Sequence, residues 1–436
     1  MAGPGRADTG YPAILGEKGA TPSLHSAPAR RPFGAATLAA RILACVTAPT
    51  PLPRTPLFLA FALALAAAVS LGLARFSYAL LLPPMRAELH WSYFTAGAMN
   101  TANAAGYLVG ALLARRWFAR FDALRVLTAG GVATAAILVA HAFAGNDVAL
   151  YALRTLAGVA SAATFVGGGL LAARLAARSP HPGLVVGIYY GGAGLGILAA
   201  TALVPPLAWR AAWVALGAAS LACALVTWGA LRASGGAVQT RPDAVAAGRL
   251  RVAWSPMAML LLGYLLFGFG YIGYMTFIVT LLREQGIAPG WVAAFYGLLG
   301  AGTVASSWIW AGTLQRFRGG QALALLTAIL SVATLLPVAS AQPVVVALSC
   351  AMFGCAFLSV VASTTAFVRH NLPPPAWAGG IGAFTIVFAL GQIVGPGLSG
   401  RLADGPGGLQ RGFVCSAIVL ALAALAGSRQ GPLTAA

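Results

Sequence analysis

Long apolar segments, each roughly 20 residues in length, follow one another along most of this chain. An α-helix of that length crosses a hydrocarbon layer of about 30 Å. Because lipid offers no hydrogen-bond partners, such segments satisfy their backbone groups internally, as helices. We therefore expect an all-α integral membrane protein with twelve transmembrane helices. The expected spans are 57–83, 93–114, 124–144, 148–173, 183–205, 211–231, 256–282, 291–314, 321–340, 343–368, 377–400 and 411–428.

The composition excludes an ordinary soluble protein. Of the 436 residues, 59% are hydrophobic and only 8% are charged, whereas a typical soluble domain carries about 25% charged residues. The formal net charge of +19 would favour nucleic-acid binding in a soluble protein. Here, however, the basic residues are not clustered in a folded polar domain. We therefore expect the lipid bilayer as the surrounding partner, and no nucleic acid.

The distribution of basic residues predicts the orientation in the membrane. With the N-terminus inside, twenty of the 27 basic residues fall in cytoplasmic tails and loops. Two more, Arg75 and Arg154, lie within spans. The outer loops hold the remaining five, which are Arg86, Arg210, Arg283, Arg401 and Arg411. Because an excess of basic residues marks the cytoplasmic side, we expect a multi-pass protein of the cytoplasmic (inner) membrane with both termini in the cytoplasm.

A polar stretch at 232–255 divides the spans into two groups of six. Internal repeats of this kind are common in secondary transporters, and glycine-dense stretches open both the fifth and the eleventh span. We expect two pseudo-symmetric six-helix bundles, at 56–231 and 256–428, around a central cavity. The remaining segments are predicted to be a disordered cytoplasmic tail at 1–55, a central cytoplasmic loop at 232–255 and a cytoplasmic C-terminal tail at 429–436.

Several short motifs resemble one transporter family. Residues 72–78 read GLARFSY and residues 82–85 read LPPM, while NTAN stands at 100–103, YYGG at 189–192 and GFGY at 268–271. On these residues the chain resembles the major facilitator superfamily, in particular its YbfB/YjiJ-type branch. The resemblance implies a secondary active transporter that moves a small-molecule substrate by alternating access, with a proton or another ion as a candidate coupling partner. It also implies that the first and fourth spans line the central cavity. We expect the protein to be a monomer.

Arg75 and Arg154 are the most informative residues. An arginine at the centre of a bilayer costs at least about 2.5–3.5 kcal/mol, so such residues usually face the protein interior and find a partner there. Two cations on cavity-lining helices would suit an anionic substrate, such as a carboxylate. The alternative is structural, in which the guanidinium binds backbone carbonyls or extends towards the membrane surface.

Other polar residues at helical spacing complete the candidate substrate site. Polar groups that faced lipid would be unsatisfied, so these residues indicate either a cavity or hydrogen bonds between helices. The candidate substrate-binding residues are Arg75, Tyr78, Asn103, Arg154, Tyr271, Tyr274, Ser359, Ser363 and Gln392.

The loop after the second span departs from the superfamily's signature, which places an aspartate before an arginine. This sequence has Ala114 before Arg115, and Gln315 before Arg316 in the second half. The carboxylate of the implied gating ion pair is therefore missing from both halves, and Asp122 is the nearby substitute. The candidate gating residues are Gly110, Arg115, Arg116, Asp122 and Arg316.

All eight acidic residues fall outside the predicted spans. Proton-coupled transporters often use a buried carboxylate that binds and releases the proton. Here proton coupling would depend on His141, on a carboxylate of the substrate, or on Glu88 or Asp147 at the edge of a span. A lone histidine such as His141 is more often a packed residue than a proton relay.

Other classes of function are disfavoured. The only lysine is Lys18, so the sequence has no GxxxxGK[ST] phosphate-binding loop for an ATP-driven pump. It also has no HExxH or GxSxG motif, and we expect no enzyme activity, no cofactor and no metal ion. Two alternatives stay open, namely a drug or metabolite exporter of the same fold and a non-transporting sensor on a transporter scaffold.

Overall fold

The computed structural model describes residues 56–234, 254–373 and 376–433. These residues are almost entirely helical, as the apolar segments predict. The predicted N-terminal tail at 1–55, the greater part of the central loop at 232–255 and the last three residues lie outside the described part of the chain.

The long helices follow the order of the predicted spans. A short 3₁₀ turn, Ser255–Met257, precedes the seventh, and a six-residue helix, Ala311–Arg316, follows the eighth. The long helices are α1 Pro56–Leu89, α2 Tyr93–Arg120, α3 Ala123–His141, α4 Asp147–Ala176, α5 Pro182–Leu203, α6 Trp209–Arg232, α7 Ala258–Glu284, α8 Pro289–Ile309, α9 Gln321–Ala339, α10 Pro343–Asn371, α11 Trp377–Ala403 and α12 Gly408–Ser428.

Eleven helices in the described residues are long and apolar enough to cross a membrane. The helix that falls outside this group is α2, although it has 28 residues. Asn100 and Asn103 in its middle and a group of arginines near its C-terminal end lower its mean hydropathy. The all-helical, multi-span architecture is therefore confirmed. That α2 also crosses the membrane, which would bring the number of spans to twelve, stays a prediction.

Local sequence signals explain where several helices begin. The side chain of Ser92 accepts a hydrogen bond from the Thr95 N–H and caps α2 at 3.1 Å. Asp122 caps α3 and Asn146 caps α4 in the same way. Such side chains satisfy backbone donors that have no partner in the first turn of a helix. These caps therefore fix the residues at which α2, α3 and α4 begin.

Helix α1 is not a regular α-helix along its whole length. Residues Ala68–Phe76 form a π-helical stretch of nine residues between two α-helical parts. Because a π turn closes its hydrogen bonds one residue later than an α turn, it changes which side chains share a face. Arg75 lies in this stretch and Tyr78 lies just beyond it, so the two side chains reach different neighbours.

Glycines allow the helices to approach one another closely. A methyl group at Gly158 of α4 would overlap the backbone of α2 at Asn103, and one at Gly194 of α5 would overlap the backbone of α8 at Gly300. In the eleventh helix, Gly391 and Gly395 face the backbone of α7. These glycines are therefore helix-packing positions.

The first six helices meet the last six mainly along two pairs, α2 with α11 and α5 with α8. Two further features hold the α2–α11 pair together. The hydroxyl of Thr101 donates to the Ile393 carbonyl at 2.8 Å, and Gly97 lies directly against the backbone of Pro396. The candidate site lies between these two sets of helices.

Candidate substrate-binding site

Arg75 links the two sets of helices through a buried hydrogen-bond relay. Its side chain is 4% exposed. The Nη2 atom donates to Oε1 of Gln392 in α11 at 2.5 Å, and Nε2 of Gln392 donates to the hydroxyl of Tyr271 in α7 at 2.7 Å. Three of the predicted site residues, from three different helices, are therefore brought together.

The positive charge of Arg75 has no carboxylate partner among the residues that the structure describes. Its Nε atom is buried without a hydrogen-bond acceptor, and its guanidinium carbon lies 5.8 Å from the centroid of the Tyr107 ring. The five described carboxylates bind elsewhere, those of Glu88, Asp122, Asp147, Glu284 and Asp404. A buried, incompletely paired cation is costly, and an incoming anion would complete its coordination.

Arg154, by contrast, has an acceptor within the protein for each of its three guanidinium nitrogens. It is 1% exposed. Its Nη1 donates to the Ala74 carbonyl at 3.1 Å, its Nε to the Met99 carbonyl at 3.4 Å and its Nη2 to Oδ1 of Asn100 at 3.2 Å. The guanidinium therefore joins α4 to both α1 and α2. These contacts match the structural alternative to substrate binding, in which the guanidinium binds backbone carbonyls.

Tyr78 and Asn103 belong to the same brace around Arg154. The guanidinium of Arg154 lies over the Tyr78 ring, 4.4 Å from its centroid, and the Tyr78 hydroxyl donates to the Ala96 carbonyl at 2.9 Å. Nδ2 of Asn103 donates to the backbone carbonyl of Arg154 at 3.1 Å. In this conformation the polar atoms of these candidates contact the backbone.

The structure does not bring the remaining candidates of the second half into the Arg75 relay. The Tyr274 hydroxyl pairs with Ser349 at 2.8 Å and its ring stacks on Phe353 at 3.9 Å. Ser359 donates to the Ser306 carbonyl at 3.4 Å, and Ser363 donates within its own helix. Each of these hydroxyls has a local acceptor, so their place in a substrate site stays a prediction.

Two phenylalanines that the sequence did not single out, Phe267 and Phe388, stack beside the relay. Tyr271 stacks with Phe267 at 4.8 Å and Phe388 at 5.6 Å, and Phe388 stacks with Tyr264 at 4.9 Å. Phe267 lies three residues after Tyr264 and four before Tyr271, and this helical spacing is the signal that could have added it to their face. The partner Phe388 carries no such signal because it comes from α11.

A second polar cluster joins the two sets of helices at the end that the positive-inside pattern predicts to face outward. The guanidinium of Arg86 lies 3.5 Å from the carboxylate of Glu284 and 3.7 Å from the Tyr93 ring centroid. The Tyr93 hydroxyl also donates to Glu284, and Asp404 accepts from the backbone N–H groups of Tyr93 and Phe94. We call this set of residues the outer cluster, and it connects the ends of α1, α2, α7 and α11.

The candidate gating residues lie at the opposite end. Gly110 packs against Val159 of α4, while Arg116 and Arg316 are exposed at helix ends. One carboxylate oxygen of Asp122 accepts from the Leu124 N–H at 3.1 Å as a helix cap. Arg115 lies in α2, but its side chain is outside the described part of the structure. A gating ion pair at this end stays a prediction.

His141 is packed inside the first set of helices. Its ring stacks on Trp213 at 4.4 Å, and its Nδ1 pairs with the Ile137 carbonyl at 2.8 Å. The residue is completely buried. This agrees with the expectation of a packed histidine.

A family model described as an uncharacterised MFS-type transporter, YbfB, matches residues 67–427. The chain belongs to this family of the major facilitator superfamily. The resemblance that the motifs indicated is therefore confirmed, together with the membrane and transport character of this MFS protein. A search of curated proteins found no match.

Solved transporter structures have the same fold as this MFS protein. A structure of the nucleoside transporter NupG is 18% identical, with a TM-score of 0.67, covering 85% of this chain and 99% of that one. A bacterial homologue of the human lysosomal transporter Spinster, in an inward-facing and unoccupied conformation, is 16% identical, with a TM-score of 0.65 and coverage of 86% and 97%. The peptide transporter POT is 14% identical, with a TM-score of 0.65 and coverage of 84% and 92%. At such identities the likeness concerns the fold alone.

Proposed function

We propose that this protein is a secondary active transporter that moves a small organic anion across the cytoplasmic membrane by alternating access. The observation that carries the proposal is Arg75, a buried guanidinium with a free Nε and no described carboxylate beside it. It lies between the two sets of helices and donates to Gln392 on the opposite side. An anion bound there would contact both sets of helices at once, which is what a carrier needs in order to couple binding to their relative movement.

The outer cluster supports the alternating-access part of the proposal. Its contacts join α1 and α2 of the first half to α7 and α11 of the second half. They lie at the rim of the helices, where ion pairs are partly exposed and individually weak. Such contacts close one end of a carrier and can still separate during each transport cycle.

Transport itself is tested with purified protein in proteoliposomes. We expect a radiolabelled organic anion from a panel of small carboxylates to accumulate in vesicles that contain the protein, under an imposed proton or sodium gradient, and not in empty vesicles. The Arg75→Gln variant should accumulate less. Binding without any flux across the panel would contradict transport and favour a sensor.

Opening of the outer end is tested through Glu284. Glu284→Gln removes the ion pair with Arg86, so we expect the outer end to open more often, by roughly two- to fivefold. The measurement is the rate at which a membrane-impermeant maleimide labels a Thr280→Cys side chain in a variant without other cysteines. Thr280 is buried and its hydroxyl has no partner, so this replacement is mild.

Glu88→Gln is the matched control for that experiment. Glu88 forms an ion pair of 2.8 Å with Arg210 at the same end, but this pair joins α1 to α6 within the first half. Labelling of Thr280→Cys should therefore stay at the original rate. Equal labelling in the Glu284 and Glu88 variants would contradict a closing role for the outer cluster.

A further inference from the structure

Six aromatic rings from six helices surround the Arg75 relay. We call them the aromatic chamber: Tyr107, Phe165, Tyr190, Tyr271, Phe357 and Phe388. Tyr107 lies 6.5 Å from Phe165, and Phe165 lies 5.9 Å from Tyr190. On the other side, Tyr271 stacks with Phe357 at 6.2 Å and with Phe388 at 5.6 Å. The rings thus come from α2, α4 and α5 of the first half and from α7, α10 and α11 of the second.

Part of the aromatic chamber is accessible although it lies deep in the protein. Tyr107, Phe165, Tyr190 and Phe388 are partly exposed. Tyr107 is fourteen residues from the start of α2, or about 21 Å along that helix. Its ring is also the one beside the Arg75 guanidinium. Partly exposed rings at this depth, next to a buried cation, line a space between the helices rather than the lipid surface.

The charges around this space select the class of ligand. Arg75 supplies one incompletely paired cation, whereas the hydrogen-bonding groups of Arg154 already bind Ala74, Met99 and Asn100. A carboxylate matches the donor geometry of a guanidinium, and flat rings favour stacking with other flat rings. A second negative charge on the ligand would find no second free guanidinium among these two.

From this arrangement we infer that the substrate is a small aromatic monoanion, such as an aromatic monocarboxylate, bound with its carboxylate at Arg75 and its ring among the rings of the aromatic chamber. This inference rests on the proposed function and names the substrate class of the same site. Gln392 and Tyr271 then hold Arg75 in place from the opposite side while the ligand occupies the free Nε.

The test compares benzoate with cyclohexanecarboxylate, which has the same charge and ring size but no aromatic face. Binding to the purified full-length protein is measured by calorimetry, with benzamide as the uncharged aromatic probe. We expect benzoate to bind about tenfold more tightly than cyclohexanecarboxylate, because ring stacking adds to the burial of apolar surface. Benzamide should bind more weakly than benzoate.

Three variants locate the aromatic preference in the structure. Tyr107→Leu removes the ring beside Arg75 and should reduce the preference for benzoate by roughly threefold or more. Phe61→Leu is the control, since Phe61 lies on the same helix as Arg75 but is 55% exposed on its outer face. That change should leave the preference as it is in the original protein. Tyr107→Phe keeps a ring and should also keep the preference.

The outcomes separate this inference from the proposed function. Equal binding of the two ring carboxylates, with both lost in Arg75→Gln, would overturn the aromatic preference and leave anion transport standing. Equal binding of benzoate and benzamide would overturn the role of the charge. Failure of both ring carboxylates to bind would overturn the inference, while the flux panel of small carboxylates decides the proposed function independently.

Discussion

Arg75→Gln is expected to weaken the binding of a transported organic anion roughly ten- to hundredfold, because hydrogen bonds to a charged group contribute about 1.5–3 kcal/mol. The melting temperature should change little. Arg75 has one side-chain hydrogen-bond partner among the described residues, Gln392, so its replacement removes few stabilising contacts. Arg75→Lys should lie between the original protein and Arg75→Gln, since it keeps the charge but loses the two-pronged donor geometry.

The measurement is anion affinity and melting temperature on the same purified samples, with the anion that shows the strongest flux in proteoliposomes. Arg210→Gln serves as the control, because Arg210 is a partly exposed cation at the outer end that pairs with Glu88. It should keep the original affinity. Unchanged affinity in Arg75→Gln together with a lower melting temperature would show that Arg75 supports the fold and does not bind the anion.

Arg154→Met is expected to lower the free energy of unfolding by about 3 kcal/mol or more, because a hydrogen bond to a charged group contributes about 1.5–3 kcal/mol. Three such hydrogen bonds are lost at once, to the Ala74 and Met99 carbonyls and to Oδ1 of Asn100. Methionine is shorter than arginine but has a similar volume, so the loss of packing is small and the polar effect dominates. The cation above the Tyr78 ring disappears as well.

Stability is measured by thermal or denaturant unfolding in detergent, and anion affinity is measured on the fraction that remains folded. Arg401→Gln is the control, since Arg401 is exposed near the end of α11. It should unfold like the original protein. An Arg154→Met variant with normal stability and a specific loss of anion affinity would assign Arg154 to the substrate site instead.

Together the two arginines give opposite expectations from the same residue type. Substitution of Arg75 should affect binding more than stability, and substitution of Arg154 should affect stability more than binding. The difference follows from their partners. The guanidinium of Arg154 donates to three acceptors on two neighbouring helices. That of Arg75 keeps an unpaired Nε between the two sets of helices.

Apolar segment lengths alone predicted the order and approximate position of the long helices, and the motifs around Arg75 indicated the family. These features can be predicted from the sequence because hydropathy and helix length depend on residues that are close together along the chain. Several glycines of α5 and α11 lie directly against the backbone of neighbouring helices, and runs of small residues indicate such contact from the sequence because close helix approach requires small side chains wherever the partner lies.

Only the tertiary structure distinguished Arg75 from Arg154. Both are lone arginines in apolar helices, and the sequence assigned the same candidate role to each. Their partners, Gln392 for Arg75 and the backbone of α1 and α2 for Arg154, are separated from them by many residues along the chain. Helical spacing predicts which residues share a face, but it does not predict which distant face packs against it. The π-helical stretch of α1 further changes that register around Arg75, because a π turn closes its hydrogen bonds one residue later than an α turn and so shifts which side chains share a face.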